Sequence, residues 1–222
     1  MTRNVILQAQ AILFDMDGVL VDSRAVVERA WRVWAVKHQL NVDAILRVAH
    51  GRRTRDTVAE VAPHLDPIAE GDWLDAAERK DSEGIVPVPG AAALLAALPR
   101  SRWAIVTSAD QSLARERLGT CGLPLPDHLV STDRVARGKP SPDGYFMGAQ
   151  LLGFSAGDCV VFEDSAPGIE AGRAAGMRVI GVATTQLKSA IQGVEVVIED
   201  QTRVRVQSSD AGLSLTLETD DR

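Results

Sequence analysis

The sequence predicts an α/β protein with a doubly wound parallel sheet, a helical segment inserted after the first core strand, and a C-terminal β-hairpin. Three observations predict it. Ala11-Ile12-Leu13-Phe14 is a short, unbroken apolar run that ends in Asp15-Met16-Asp17-Gly18, as expected of a fully buried parallel strand with polar groups at its end. Between Asp22 and Ile85 the apolar residues recur with helical spacing, and no strand-like run appears. From Val86 onward, strand-like and helix-like segments alternate, which builds a parallel sheet with crossover helices.

Taken in chain order, Val26, Val27, Ala30, Trp31, Trp34 and His38 form one helical face opposite Glu28, Arg29, Arg32 and Lys37. Trp31 and Trp34 are therefore expected in the core of the helical segment rather than as a stacking platform for a ligand. Further helices are expected over 42–49, 54–62 and 68–83, with Pro63 and Pro67 as breaks. After Val88-Pro89-Gly90 the expected series is helix 91–98, strand 103–106, helix 111–118, strand 129–131, a helix from Pro142, strand 159–162, helix 167–175, and strands 178–182 and 194–198. Residues 203–207 and 213–217 alternate apolar with polar around a turn, so a terminal hairpin is expected as an extra antiparallel edge or a dimer contact. The expected division is a core of residues 1–19 and 87–222 and a helical cap of residues 20–86.

A chain of 222 residues, 45% hydrophobic, can bury a substantial core. Its formal net charge of -6 argues against nucleic acid or an anionic membrane as partner, and an anionic substrate would need local cations. Cys121 and Cys159 lie far apart in apolar surroundings and read as reduced thiols, which fits the cytoplasm. No run approaches membrane-spanning length, and residues 1–10 lack an apolar stretch followed by a small-residue cleavage site, so an unprocessed chain is expected.

Asp15 and Asp17 alternate in an extended tail and so project to one side, where two like charges call for a cation. A divalent metal with oxygen ligands meets that need. Taken alone, the same four residues also suit a solvated turn. Three later strand ends add matching chemistry. Thr107 and Ser108 offer hydroxyls and N–H groups for phosphate oxygens. Lys139, fixed between Gly138 and Pro140, is a directed cation, and Pro140 is a candidate for a cis bond; Ser141 is expected as the N-cap of the next helix. Glu163 and Asp164 form a second acidic pair. Asp164 is the better direct magnesium ligand and Glu163 the residue that acts through water or orients the shell, because magnesium keeps several waters.

Asp15, Asp17, Thr107, Lys139, Glu163 and Asp164, in this order on strand ends, resemble the haloacid dehalogenase superfamily of phosphotransferases, over residues 10 to 200. The resemblance implies a Rossmann-like core, and the helical insert looks like the small cap of β-phosphoglucomutase-like phosphatases. His50-Gly51-Arg52-Arg53-Thr54, Val88-Pro89-Gly90 and Phe162-Glu163-Asp164 look most like bacterial sugar phosphatases and glycerol-phosphate phosphatases. It further implies Mg2+ held by Asp15, Asp17 and Asp164 with Glu163, Asp15 as nucleophile, Asp17 as acid and base, and Thr107, Ser108 and Lys139 around the phosphoryl group. The cap loop His50-Gly51-Arg52-Arg53 would contact the substrate, with Arg53 the preferred contact. The implied substrate is a small sugar or polyol phosphate and the implied assembly a monomer or weak homodimer. The rival activity is that of a phosphohexomutase.

Overall fold

The computed structural model describes residues 2–220; Met1, Asp221 and Arg222, the ends of the two expected core segments, lie outside the described residues. The chain runs β1 (Thr2–Ala9), β2 (Ala11–Phe14) and β3 (Val21–Asp22) into four helices, α1 (Arg24–Lys37), α2 (Val42–Ala49), α3 (Thr54–Val61) and α4 (Pro67–Arg79). It returns through β4 (Val86–Pro87) and α5 (Ala91–Ala97) to β5 (Trp103–Val106), α6 (Gln111–Thr120), β6 (Leu129–Val130), α7 (Asp143–Leu152) and β7 (Cys159–Glu163). The remaining elements are α8 (Ala166–Ala174), β8 (Arg178–Val182), β9 (Val196–Ile198), β10 (Val204–Ser209) and β11 (Gly212–Asp220).

Six strands form a parallel sheet in the order β6-β5-β2-β7-β8-β9. The first of these in sequence, β2, lies between β5 and β7, so the connections diverge on either side of it. Open sheets of this kind bind ligands at such a reversal, beyond the carboxyl ends of the strands. Alternate residues of each strand feed two apolar layers. Ile12, Phe14, Ile105 and Phe162 pack on one face, and Leu13, Val106 and Val161 on the other. Gly144 weakens α7 as a helix, but an added Cβ there would lie 2.9 Å from Val106 Cγ1, so the glycine lets α7 close onto β5.

The helices α1 to α4 have an apolar cluster of their own, with Trp31, Trp34, Ile45, Val58 and Leu74 buried in it. Trp34 is fully enclosed and donates its Nε1–H to Glu70 at 2.7 Å. The fourth helix starts and ends earlier than its apolar periodicity predicts. Asp66 accepts hydrogen bonds from the Ile68 and Ala69 N–H groups, which makes Pro67 the first helical residue rather than a break, and the helix stops at Arg79. Ser141 is not an N-cap: α7 begins at Asp143 with Pro142 at the cap position, and the Ser141 hydroxyl donates to the Asp143 carboxylate at 2.8 Å. The Lys139–Pro140 bond is cis.

The terminal hairpin is present but does not extend the parallel sheet. Its second strand, β11, pairs antiparallel with both β10 and β1 in a separate three-stranded sheet. Leu213, Leu215 and Leu217 stand opposite Ala9, Leu7 and Val5, and they bury their side chains against one face of the core. Each Leu buried in this way contributes about 1.5–3 kcal/mol. Cys121 and Cys159 are free thiols. Among the described residues no helix is long and apolar enough to cross a membrane.

Candidate active site

Three carboxylates meet at the carboxyl ends of β2 and β7. Asp15 follows β2, Glu163 ends β7 and Asp164 follows it; each is buried, and one oxygen of each lies within 4.8 Å of the others. Such proximity is tolerable only with compensating positive charge. Lys139 supplies part of it, donating to Asp15 Oδ1 and Glu163 Oε1, each at 2.6 Å. Burial pushes the Asp15 carboxyl up to about 7 even though Lys139 pulls it down. Burial, with Glu163 and Asp15 beside it, also holds Asp164 well above the usual carboxylate range. For Lys139, burial opposes the charge, yet Asp15 and Glu163 together keep the ammonium protonated above the ordinary lysine value.

Both carboxylate oxygens of Glu163 accept hydrogen bonds from the protein. Its Oε1 accepts from Lys139 and from the Tyr145 hydroxyl at 2.9 Å. Its Oε2 accepts from the Asp164 and Ser165 N–H groups and from Ser165 Oγ at 3.0–3.1 Å. The side chain therefore orders the loop and the lysine, the orienting half of the two roles read for it. Gly168 is required here, because a Cβ would lie 1.7 Å from Glu163 Oε1. Asp164 differs. Thr185 Oγ1 donates to its Oδ2 at 2.5 Å, while its Oδ1 is buried without a partner. An orphaned carboxyl oxygen beside Asp15 and Glu163 fits a hard cation with oxygen ligands.

Asp17 sits apart from this cluster. Its Oδ1 accepts from Ser23 Oγ at 2.6 Å and from Arg117 Nη1 at 2.9 Å, and Gly18 at φ +81° turns the chain immediately afterwards. A Cβ on Gly18 would strike Asp164 Oδ2 at 2.1 Å, which brings the two acidic loops into contact. Asp15 and Asp17, with Thr107 and Ser108, line a cleft between the sheet end and the helices, closed above by His50, Gly51 and Arg52. The cleft contains about 720 Å³ of space, part of it open to solvent.

The loop from α2 to α3 touches the core. Ser108 Oγ donates to the Gly51 carbonyl at 2.9 Å, so this hydroxyl serves the loop and leaves the Ser108 N–H for a ligand. Arg53, the arginine expected to reach the ligand, does not line this cleft. Its guanidinium is held by Asp56 at 2.6 Å and by the Ala136 carbonyl at 3.1 Å, beside Gly138. The reason is local: Arg53 precedes α3, and Asp56 in the first turn captures it. Arg52 is the arginine of the pair that lines the cleft, where it is also bonded to Glu60. Burial lowers the His50 pKa below the ordinary histidine value.

Besides Thr185, other participants escaped the sequence reading. Tyr145 braces Glu163, Ser23 and Arg117 grip Asp17, and Glu78 of α4 takes the other arm of Arg117 at 2.5 Å. Burial pushes Glu78 up to about 7 against the pull of Arg117. The only signal for Arg117 was a charge on the apolar side of α6, between Ala114 and Leu118; the partners come from segments 39 and 100 residues away.

Residues 9–176 match the family model described as haloacid dehalogenase-like hydrolase. Over 211 residues the chain is 39% identical to hexitol phosphatase A of Escherichia coli (strain K12), covering 93% of this chain and 98% of that protein. It is 31% identical over 222 residues to glycerol-1-phosphate phosphohydrolase 1 of Saccharomyces cerevisiae, covering 92% and 88% of the two chains. A solved structure of a putative β-phosphoglucomutase from Thermotoga maritima matches with a TM-score of 0.64 at 27% identity, over 86% of this chain and 95% of that one. With three-quarters of its length fitted by one family model, and the acidic cluster at the strand ends inside that stretch, the chain belongs to the haloacid dehalogenase-like hydrolases.

Proposed function

We propose that this protein is a magnesium-dependent phosphatase that hydrolyses small sugar or polyol phosphates through a phosphoryl group carried on Asp15. The observation that carries the reading is the Asp15 carboxylate, fixed on one oxygen by Lys139, beside the orphaned Asp164 oxygen and at the floor of a cleft. The similarity to a hexitol phosphatase and a glycerol-1-phosphate phosphohydrolase supports an acyclic or sugar alcohol as leaving group.

In this reading Asp15 Oδ2 attacks phosphorus in line with the departing oxygen, and Asp17 gives that oxygen its proton. Asp17 then takes a proton from the water that attacks the aspartyl-phosphate, which restores Asp15 and releases inorganic phosphate. Lys139, the Thr107 hydroxyl and the Ser108 N–H meet the charge on the equatorial oxygens, where positioning and electrostatics supply most of the catalysis. Asp15, Asp164 and the Asp17 carbonyl would hold magnesium, whose charge offsets the repulsion between a carboxylate nucleophile and a phosphate dianion. Residues 20–86 act as a cap over a core of 1–19 and 87–222, and the 50–53 loop decides which leaving group fits.

The test is a panel of sugar and polyol phosphates with magnesium, read as released inorganic phosphate. Isomerisation of a sugar phosphate with negligible phosphate release would mark a mutase. Binding without turnover would mark a silent phosphosugar-binding module.

Two further outcomes follow from the geometry. Magnesium should raise the Tm of the chelated protein, because it binds only the assembled carboxylates; at a hundred times its Kd the gain is about 2.7 kcal/mol. Asp164→Asn should remove most of that gain, and an unchanged gain would place the metal elsewhere. Gly51→Ala should lower kcat/KM about tenfold or more. At φ +77° a Cβ is strained and would meet Ser165 Oγ at 2.1 Å, so the loop must lift from the core. Because that contact is local, the Tm should fall by only about 2–4 °C for each kcal/mol of strain.

A further inference from the structure

Arg117 is almost fully enclosed, at 4% side-chain exposure, and its two terminal nitrogens are divided between two segments of the chain. Nη1 binds Asp17 Oδ1 in the loop after β2, and Nη2 binds Glu78 Oε2 on α4 of the helical insert. Its Nε is buried without a partner. Enclosing the Arg117 and Glu78 charges, with Asp17 half-buried beside them, is a poor way to gain stability, since an apolar cluster of the same volume serves as well or better. A planar guanidinium does supply fixed direction.

That direction bears on Asp17. An aspartate side chain has two free torsions, and a proton donor is effective only within hydrogen-bond reach of the departing oxygen. Ser23 Oγ and Arg117 Nη1 both hold Oδ1, so Oδ2 is the carboxylate oxygen that no protein donor occupies among the described residues. We propose that Arg117 is a positioning residue for proton transfer, aiming Asp17 Oδ2 at the leaving oxygen, with Glu78 as the counter-charge that fixes the guanidinium. Next to Glu78 on α4, Arg79 is bonded to Asp110 at the start of α6, so two pairs of opposite sense seat this end of the insert on the core.

This rests on the phosphatase reading, and the experiment separates the two. Phosphoryl transfer from a sugar or polyol phosphate expels an alkoxide that needs a proton, whereas 4-nitrophenyl phosphate expels a phenolate that does not. Because kcat/KM reports only the steps through leaving-group departure, it isolates this proton transfer from the later attack of water. In Arg117→Met, kcat/KM for the polyol phosphate should fall about 10²-fold, the lower end of what general acid catalysis contributes. For 4-nitrophenyl phosphate it should fall less than about threefold. The ratio of the two is independent of how much of the variant folds, and Arg117→Lys, measured in the same way, should shift it in the same direction by less. In an Asp17→Asn background the substitution should no longer change the ratio. Equal losses on both substrates, or an unchanged ratio, would overturn the assignment while leaving the phosphatase reading intact. Absence of phosphate release from the wild-type protein would overturn both.

Discussion

Asp15→Asn should abolish phosphate release, by at least about 10³-fold, while leaving the fold in place. Removing a covalent nucleophile typically costs on the order of 10⁶ in kcat, and the amide oxygen cannot replace the carboxylate. The substitution is nearly isosteric, and it relieves a cluster in which three buried carboxylates share one lysine. Metal-free Asp15→Asn should therefore match or exceed the wild-type Tm above pH 7. The sign follows from the Asp15 carboxyl, raised by burial from its ordinary 3.8 to about 7. A carboxyl raised on folding favours the folded state at low pH, and that contribution is lost as pH rises from about 4 through about 7. Stability of the chelated wild type should fall over this window, and the fall should be smaller in Asp15→Asn. Full activity in the variant would remove Asp15 as nucleophile, and identical pH dependence of the two proteins would remove it from the buried cluster.

Lys139→Met should be the most destabilising single change at the site, and it should also silence the enzyme. The ammonium is the shared donor to Asp15 and Glu163, and methionine leaves both oxygens buried without it. Removing one member of a buried charge pair costs about 3–5 kcal/mol, or a Tm drop of about 2–4 °C per kcal/mol in a chain of this size. The remaining carboxylates would then have to take up protons, so the loss should be greatest above pH 7 and reduced below pH 5. Magnesium should recover part of the Tm but little of the activity, because the cation can balance the carboxylates yet cannot replace the ammonium at the equatorial oxygens. An unaltered Tm across this range would show that Lys139 does not carry the charge balance of the cluster.

The order of strands and helices was legible in the sequence because each element writes its own period. Ala11 to Phe14, Trp103 to Val106 and Arg178 to Val182 are bounded apolar runs, and all three are strands with those limits. The N-terminal strand was not legible. Val5, Leu7 and Ala9 alternate, but Ile6 breaks the pattern by standing 64% exposed on the other side, and the partner strand lies more than 200 residues away. The acidic pairs and Lys139 announced themselves by residue type at strand ends.

What the sequence alone determined is therefore local: which residues alternate, where the backbone must turn, and which charged groups end the buried strands. Only the tertiary structure decided how those charges are shared. It joins Glu163 to the lysine, leaves an oxygen of Asp164 open, pairs Arg53 with Asp56 in a smaller pocket beside Lys139 and brings Arg52 to the cleft. It also joins Asp17 to Arg117 and Glu78, residues 100 and 61 positions further along the chain. The physical reason is that periodicity and turn chemistry act over a few residues, whereas charge pairing inside a protein depends on distances set by packing, which no local pattern encodes.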